Sequence, residues 1–266
     1  MRTVIESLQN EKIKYLYRLL SDNRFRKKEK KLVVEGVQEN RRALDFGYEH
    51  TAFYLCPSIF SDAFALPENA KIYEISEKIY QKLAYRGTTE GILGLYQTPY
   101  FSLADYQPSA NAAVIIVESI EKPGNLGAIL RSCEAFGIEA LILSDIKIDL
   151  YNPNVLRSSV GCLFGMKVFQ SDNTSILDFL KQHQFSIFTT FMSYDAQMID
   201  EKDFTQKSAL VFGTEHSGIS PFWENQGENV LIPMTGTIDS LNLSNAVAIS
   251  CYEILRQKRK NHQQMT

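Results

Sequence analysis

No run of apolar residues in this 266-residue chain is long enough to span a bilayer. The opening segment, MRTVIESLQN, lacks the apolar stretch of a secretory signal. A cytoplasmic protein is therefore the default expectation. Cysteine is scarce: Cys56, Cys133, Cys162 and Cys251 are scattered and form no CxxC pair. That argues against a disulfide framework, and the apolar helical patterns around Cys133 and Cys251 point to buried free thiols. The histidines, His50, His183, His216 and His262, show no metal-ligand spacing, so no structural zinc or other metal is expected. Neither a GxGxxG fingerprint nor a GxxxxGK phosphate loop is present, which removes the usual signatures of dinucleotide and nucleoside triphosphate sites. Internal repeats and low-complexity tracts are also missing.

The chain has no excess of positive charge either: its formal net charge is −3. A wholly basic nucleic-acid binder is excluded, although only the face that meets phosphate must be positive. Two local runs supply such charge. Arg24, Arg26, Lys27, Lys28, Lys30 and Lys31 form one, expected as a loop that either contacts RNA or is simply solvated. Arg256, Lys258, Arg259 and Lys260 form the other, where cations suit the negative end of a helix.

What remains is an ordinary globular composition, 44% hydrophobic and 22% charged, on a chain long enough for a sizeable core. Residues 11–20 carry Ile13, Leu16, Leu19 and Leu20 at helical spacing. Strands are expected at 31–36, 51–56, 72–75 and 92–96, with helices at 38–46, ended by Gly47, and 77–84, capped by Ser76. This makes a small α/β domain over residues 1–97. Residues 98–110, with two prolines and polar punctuation, read as a linker. Residues 111–266 form the second domain. AAVIIV at 112–117 has the continuous β-branched character of a strand buried on both faces. Further strands are expected at 140–143, 186–190, 209–212 and 230–232, a helix at 126–136 ended by Gly137, and a final helix from about Ser244 to Lys260. The alternation of strand and helix predicts an α/β fold with a mostly parallel sheet.

Open α/β sheets bind ligands beyond the carboxyl ends of their strands, so three loops of the second domain draw notice. The first is PGNLG at 123–127, with Asn125 placed to cap the helix that carries Arg131. The second is FGTEHSG at 212–218, directly after a strand, rich in glycine and short polar residues. The third runs from Ile232-Pro233-Met234 to Ser240-Leu241-Asn242-Leu243-Ser244. A capping role suffices for Ser244 there, but leaves Asn242, between two leucines, unexplained.

Taken together, the three loops resemble the motifs of the SpoU/TrmH family within the SPOUT RNA methyltransferases: Asn125, Gly127 and Arg131; Gly213, Glu215 and Gly218; and the segment Ile232 to Ser244. The resemblance covers about residues 111–256. Residues 10–97 are similar, on the weaker basis of KLVVEG and GILGLY, to that family's ribosomal-protein-like substrate-binding domain. The resemblance implies a C-terminal domain with a deep trefoil knot, homodimerisation through that domain, and transfer of a methyl group from S-adenosyl-L-methionine to a ribose 2′-hydroxyl of RNA. Ribosomal RNA is the preferred substrate and transfer RNA the second. It assigns cofactor contacts to Phe212, Gly213, Gly218, Ile232, Met234, Leu241 and Asn242, and catalytic roles to Arg131, Asn125, Glu215, Ser240 and Asn242. Thr214 and His216 depart from the usual second motif. Because guanidinium groups stay charged in proteins, Arg131 is better suited to gripping phosphate and stabilising a developing alkoxide than to acting as a simple base. Two rivals stand beside this reading: a non-catalytic RNA-binding protein with a SPOUT dimerisation scaffold, and a nucleotide-cofactor oxidoreductase, against which the missing fingerprint counts.

Overall fold

The computed structural model describes residues 3–61, 64–85, 90–191, 193, 196–214 and 218–264. It divides into two compact units, Met1–Tyr100 with Asp149–Gly165, and Phe101–Ile148 with Met166–Thr266. In chain order the first elements are β1 (Thr3–Ile5), α1 (Glu11–Ser21), α2 (Asn23–Glu29), β2 (Lys31–Glu35), α3 (Val37–Asp45), β3 (His50–Leu55), β4 (Ile72–Ile75), α4 (Glu77–Leu83) and β5 (Ile92–Gln97). There follow β6 (Ala113–Glu118), α5 (Pro123–Ala135), β7 (Ala140–Ser144), α6 (Pro153–Ser158), α7 (Cys162–Gly165), β8 (Lys167–Ser171) and α8 (Asn173–Gln182). The last are β9 (Ser186–Thr189), β10 (Gln197–Met198), β11 (Ser208–Phe212), β12 (Glu228–Leu231) and α9 (Leu243–Gln264).

In the first unit a mixed sheet has the order β1-β4-β3-β5-β2. Asn10 caps α1 by accepting from the Lys12 N–H, and Ile13, Leu16 and Leu19 face inward at helical spacing. Asn40, fully buried on α3, donates to the carbonyls of Val34 and Gly36 and accepts from the Tyr96 hydroxyl at 2.9 Å. Position 94 must be glycine for this to fit, since a Cβ there would lie 2.0 Å from the Asn40 side-chain oxygen.

The basic run at 24–31 is not the loop its composition suggests. Asp22 accepts from the N–H groups of Arg24 and Phe25 and starts α2. Arg26 turns inward and is only 4% exposed. Its Nε donates to Asp149 Oδ2 at 2.6 Å, and its Nη1 reaches the carbonyls of Leu19 and Leu20. Arg26 is thus unavailable to phosphate, while Arg24, Lys27 and Lys28 remain exposed along one side of α2.

The second unit holds a seven-stranded sheet of order β10-β12-β9-β11-β6-β7-β8, parallel in every pairing. β6, β7 and β11 are buried along their whole length, as expected of strands covered on both faces. Leu103 and Tyr106, within the stretch read as a linker, lie in the core of this unit. α5 begins at Pro123, with Lys122 as cap residue and no side-chain cap. Asn125 is therefore the third residue of the helix and not its cap. α9 begins at Leu243, one residue before the expected start. Besides α2, the elements missed from the sequence are β8, α8 and β10 here, and β1, α6 and α7 in the first unit. All four cysteines are buried and stand outside any disulfide. Among the described residues no helix is long and apolar enough to cross a membrane.

The Arg26–Asp149 pair gives a direct test. Asp149→Ala strands a buried guanidinium and is expected to lower stability in urea denaturation by about 3–5 kcal/mol, whereas Arg26→Met with Asp149→Leu should cost far less.

Candidate active site

Since every strand of the second sheet runs the same way, the carboxyl ends of β6, β9, β11 and β12 share one edge. Val117 of β6 lies opposite Phe212 of β11, so the turn into α5 and the loop after β11 start side by side. Ser119 and Asp145, where β6 and β7 end, both take left-handed backbone conformations, with φ of 53° and 46°. The Ser119 hydroxyl donates to the Asp145 carboxylate at 3.0 Å. The Lys147 ammonium, and then this hydroxyl, hold the Asp145 carboxyl below its usual range.

The loop after β11 is folded back on itself. Thr214 and Gly218 exchange two backbone hydrogen bonds, of 2.9 and 3.1 Å. Gly213 sits so close beneath this closure that a Cβ would lie 1.9 Å from the Gly218 carbonyl oxygen. Glycine is needed there by the loop's own backbone, whatever ligand the loop meets. Gly218 is exposed at the left-handed φ of 68°. Glu215, with His216 and Ser217, lies outside the described residues. Phe212 is packed inside the protein at 2% exposure.

The third loop leaves apolar surface open at the same edge: Met234 is 43% exposed, and Ile232 and Leu241 are half-buried. Ser240 is exposed. Asn242 answers the question its position raised. Its Oδ1 accepts from the Ser244 N–H at 2.9 Å and from the Ser244 hydroxyl at 2.7 Å, so Asn242, not Ser244, caps α9. Its Nδ2 donates to Asn125 Oδ1 at 3.4 Å, joining the first and third motifs across 117 residues of chain. Arg131 stands exposed on α5, which packs against α9.

One residue at this edge escaped the sequence reading. Glu118, the last residue of β6, is 5% exposed and is bound by Ser220 and Asn173. Its only signal in the sequence is an acid ending an otherwise apolar strand. A cavity of about 540 Å³ in the first unit is lined by Arg24, Tyr85 and Asn152 among others, and by none of the motif residues.

Comparison with known proteins now decides the family. Residues 112–252 match the SpoU rRNA Methylase family, and residues 10–94 match the MRM3-like substrate binding domain. The chain belongs to the SpoU rRNA methylase family. Over 96% of its length it is 30% identical to an uncharacterised tRNA/rRNA methyltransferase of Synechocystis sp., 94% of which is covered. It is 26% identical to the 23S rRNA (guanosine(2553)-2′-O)-methyltransferase RlmP of Bacillus subtilis, across 94% of this chain and 98% of that one. A crystal structure of an RNA 2′-O ribose methyltransferase superimposes with a TM-score of 0.84 at 33% identity, covering 97% of this chain and 100% of the other. The SpoU match runs through Asp149–Gly165, the segment that packs within the first unit.

Gly124 of the first loop and Gly213 of the second are expected to respond oppositely to a methyl group. Gly124→Ala meets nothing within 4 Å and removes a helical glycine, so thermal denaturation should show unchanged or slightly raised stability. Gly213→Ala must push the loop open and should cost about 1–3 kcal/mol.

Proposed function

We propose that this chain transfers the methyl group of S-adenosyl-L-methionine to a ribose 2′-hydroxyl of cytoplasmic RNA, ribosomal RNA in the first place and transfer RNA in the second. The observation that carries this reading is the meeting of the family's motifs at one sheet edge, with Asn242 bonded to Asn125 and β11 beside β6. The residues at that edge suit the cofactor. Half-buried Ile232 and Leu241 and exposed Met234 offer an apolar bed for an adenine ring, and the backbone around Gly213 offers groups for its polar edges. Phe212 forms the floor. The cofactor supplies an already activated methyl group, so the protein's task is to orient the hydroxyl and manage its proton.

Arg131, exposed on α5, grips the target phosphate and stabilises the developing alkoxide. Asn125 and Asn242 hold the helix ends that present it, and Ser240 and Glu215 position the ribose or Arg131. The knotted course of the chain that the resemblance implies belongs to this reading. Arg24, Lys27 and Lys28, exposed on α2, supply phosphate contacts in the first unit. Two of the C-terminal cations serve the fold instead: Arg256 is bound by Glu253 at 2.6 Å, and Lys258 donates to the Asn111 carbonyl.

The same reading makes the protein a homodimer. Ile249 and Tyr252, 41% and 56% exposed, lie one turn apart on α9, and Phe136 at the end of α5 packs edge-on against Tyr252. Light scattering should give twice the chain mass for the native protein, and half that value for Ile249→Asp with Tyr252→Asp. A native monomer would remove the dimer from the proposal.

For the chemistry, radiolabelled methyl transfer to RNA from cells lacking this protein should be measured beside cofactor titration. Arg131→Ala is expected to lower turnover by about 10²–10³-fold with cofactor affinity retained. Normal turnover by that variant would overturn the role of Arg131. A wild-type protein that binds RNA but no cofactor would leave the non-catalytic scaffold as the reading.

A further inference from the structure

Glu118 lies at the carboxyl end of β6, behind the motif residues. It is 5% exposed, and among the described residues no cation pairs with it. Burying a carboxylate without a counter-charge is costly unless its oxygens are filled by donors. Here they are. Oε2 accepts from the Ser220 N–H at 2.8 Å, and Oε1 accepts from the Ser220 hydroxyl at 2.7 Å and from Asn173 Nδ2 at 2.6 Å. Asn173 in turn accepts from the Ser144 hydroxyl at the end of β7. One carboxylate therefore ties together the ends of β6 and β7, the first residue of α8 and Ser220, where the loop from Gly213 rejoins the body of the unit. Among the described residues that loop closes on itself between Thr214 and Gly218. Its exit is fixed by Glu118.

We infer that Glu118 is a positioning residue for methyl transfer, clamping Ser220 so that the loop from Gly213 holds the shape that S-adenosyl-L-methionine requires. This rests on the reading that the loop binds that cofactor. A glutamine is a poorer partner: with its oxygen toward the Ser220 N–H, its nitrogen meets the Ser220 hydroxyl but serves Asn173 only if that amide turns over and stops accepting from Ser144. With its oxygen toward Asn173, its amide nitrogen would face the Ser220 N–H, donor against donor. Exchanging acid and amide between the two positions repairs the defect. In Glu118→Gln with Asn173→Asp, the glutamine oxygen accepts from the Ser220 N–H and its nitrogen donates to the aspartate. The aspartate still accepts from Ser144. An acid at the first turn of α8 is also favourable to that helix.

The test measures cofactor affinity by calorimetry and the hydrogen exchange of peptides spanning 213–220 in wild type, Glu118→Gln, Asn173→Ala and the exchanged double variant. Glu118→Gln should weaken cofactor binding and speed exchange of the Ser220 amide, each by about tenfold or more. The double variant should recover both. Asn173→Ala, which leaves both Ser220 bonds in place, should lower the melting temperature while keeping affinity within about twofold of wild type. Affinity and exchange unchanged in Glu118→Gln would overturn the proposal. So would a double variant that regains the wild-type melting temperature but neither affinity nor exchange protection. If the wild type binds no cofactor while exchange follows the expected pattern, the functional reading falls and the clamp on the loop stands.

Discussion

The parallel pairing of β6 with β11 is the constraint on which the second unit depends. Five levels of register, from Ser208 opposite Ala113 to Phe212 opposite Val117, lie in the middle of the sheet with both faces covered. Strands so placed can offer only apolar side chains to their surroundings, and every polar group of the neighbourhood is driven to the sheet's edges. The carboxyl edge collects them: Glu118, Ser119, Ser144, Asp145, Thr214 and Ser220 all lie where strands end or just beyond. The chemistry-bearing loops sit together because a one-directional sheet leaves them nowhere else to go.

How much of this could be read from the sequence differed by element. β6 and β11 were legible because burial on both faces writes a continuous β-branched or apolar run, and α1 because Ile13, Leu16 and Leu19 keep helical spacing behind a capping asparagine. α2 was not legible. Its sequence, NRFRKKE, has almost no apolar face, and the residue it buries is Arg26. Burial of that residue is bought by an aspartate 123 positions away, which no local pattern announces. β8 exposes Lys167 and Gln170, and its two adjacent apolar residues, Val168 and Phe169, make too short a run to stand out from a loop.

The site was legible as a set of motifs more than as a set of causes. Asn125 and Asn242 were both singled out, yet their local roles were assigned one step wrong: Asn125 lies inside its helix, and Asn242 is the cap that Ser244 had been given. Capping geometry depends on where a helix starts, and sequence patterns place starts poorly. Gly213 was expected, from the resemblance, to contact the cofactor, and its nearest constraint is the carbonyl of Gly218. Glu118 went unnoticed because a lone acid after apolar residues reads as the strand's return to water. Only the fold brings Ser220 and Asn173 onto it.

The position of β11 in its sheet bears on the order of assembly. The strand enters between β9 and β6, both of which precede it in the chain, and its partner residues on β6 are separated from it by about a hundred positions. A ribosome that has released β6 through β9 has therefore delivered a sheet with its central gap still unfilled. Until β11 arrives the edges of β6 and β9 face that gap, and α9 with its Asn242 cap comes later still. The candidate active site can form only after the chain has passed Asn242 and entered α9, so chains cut short before that point lack it entirely.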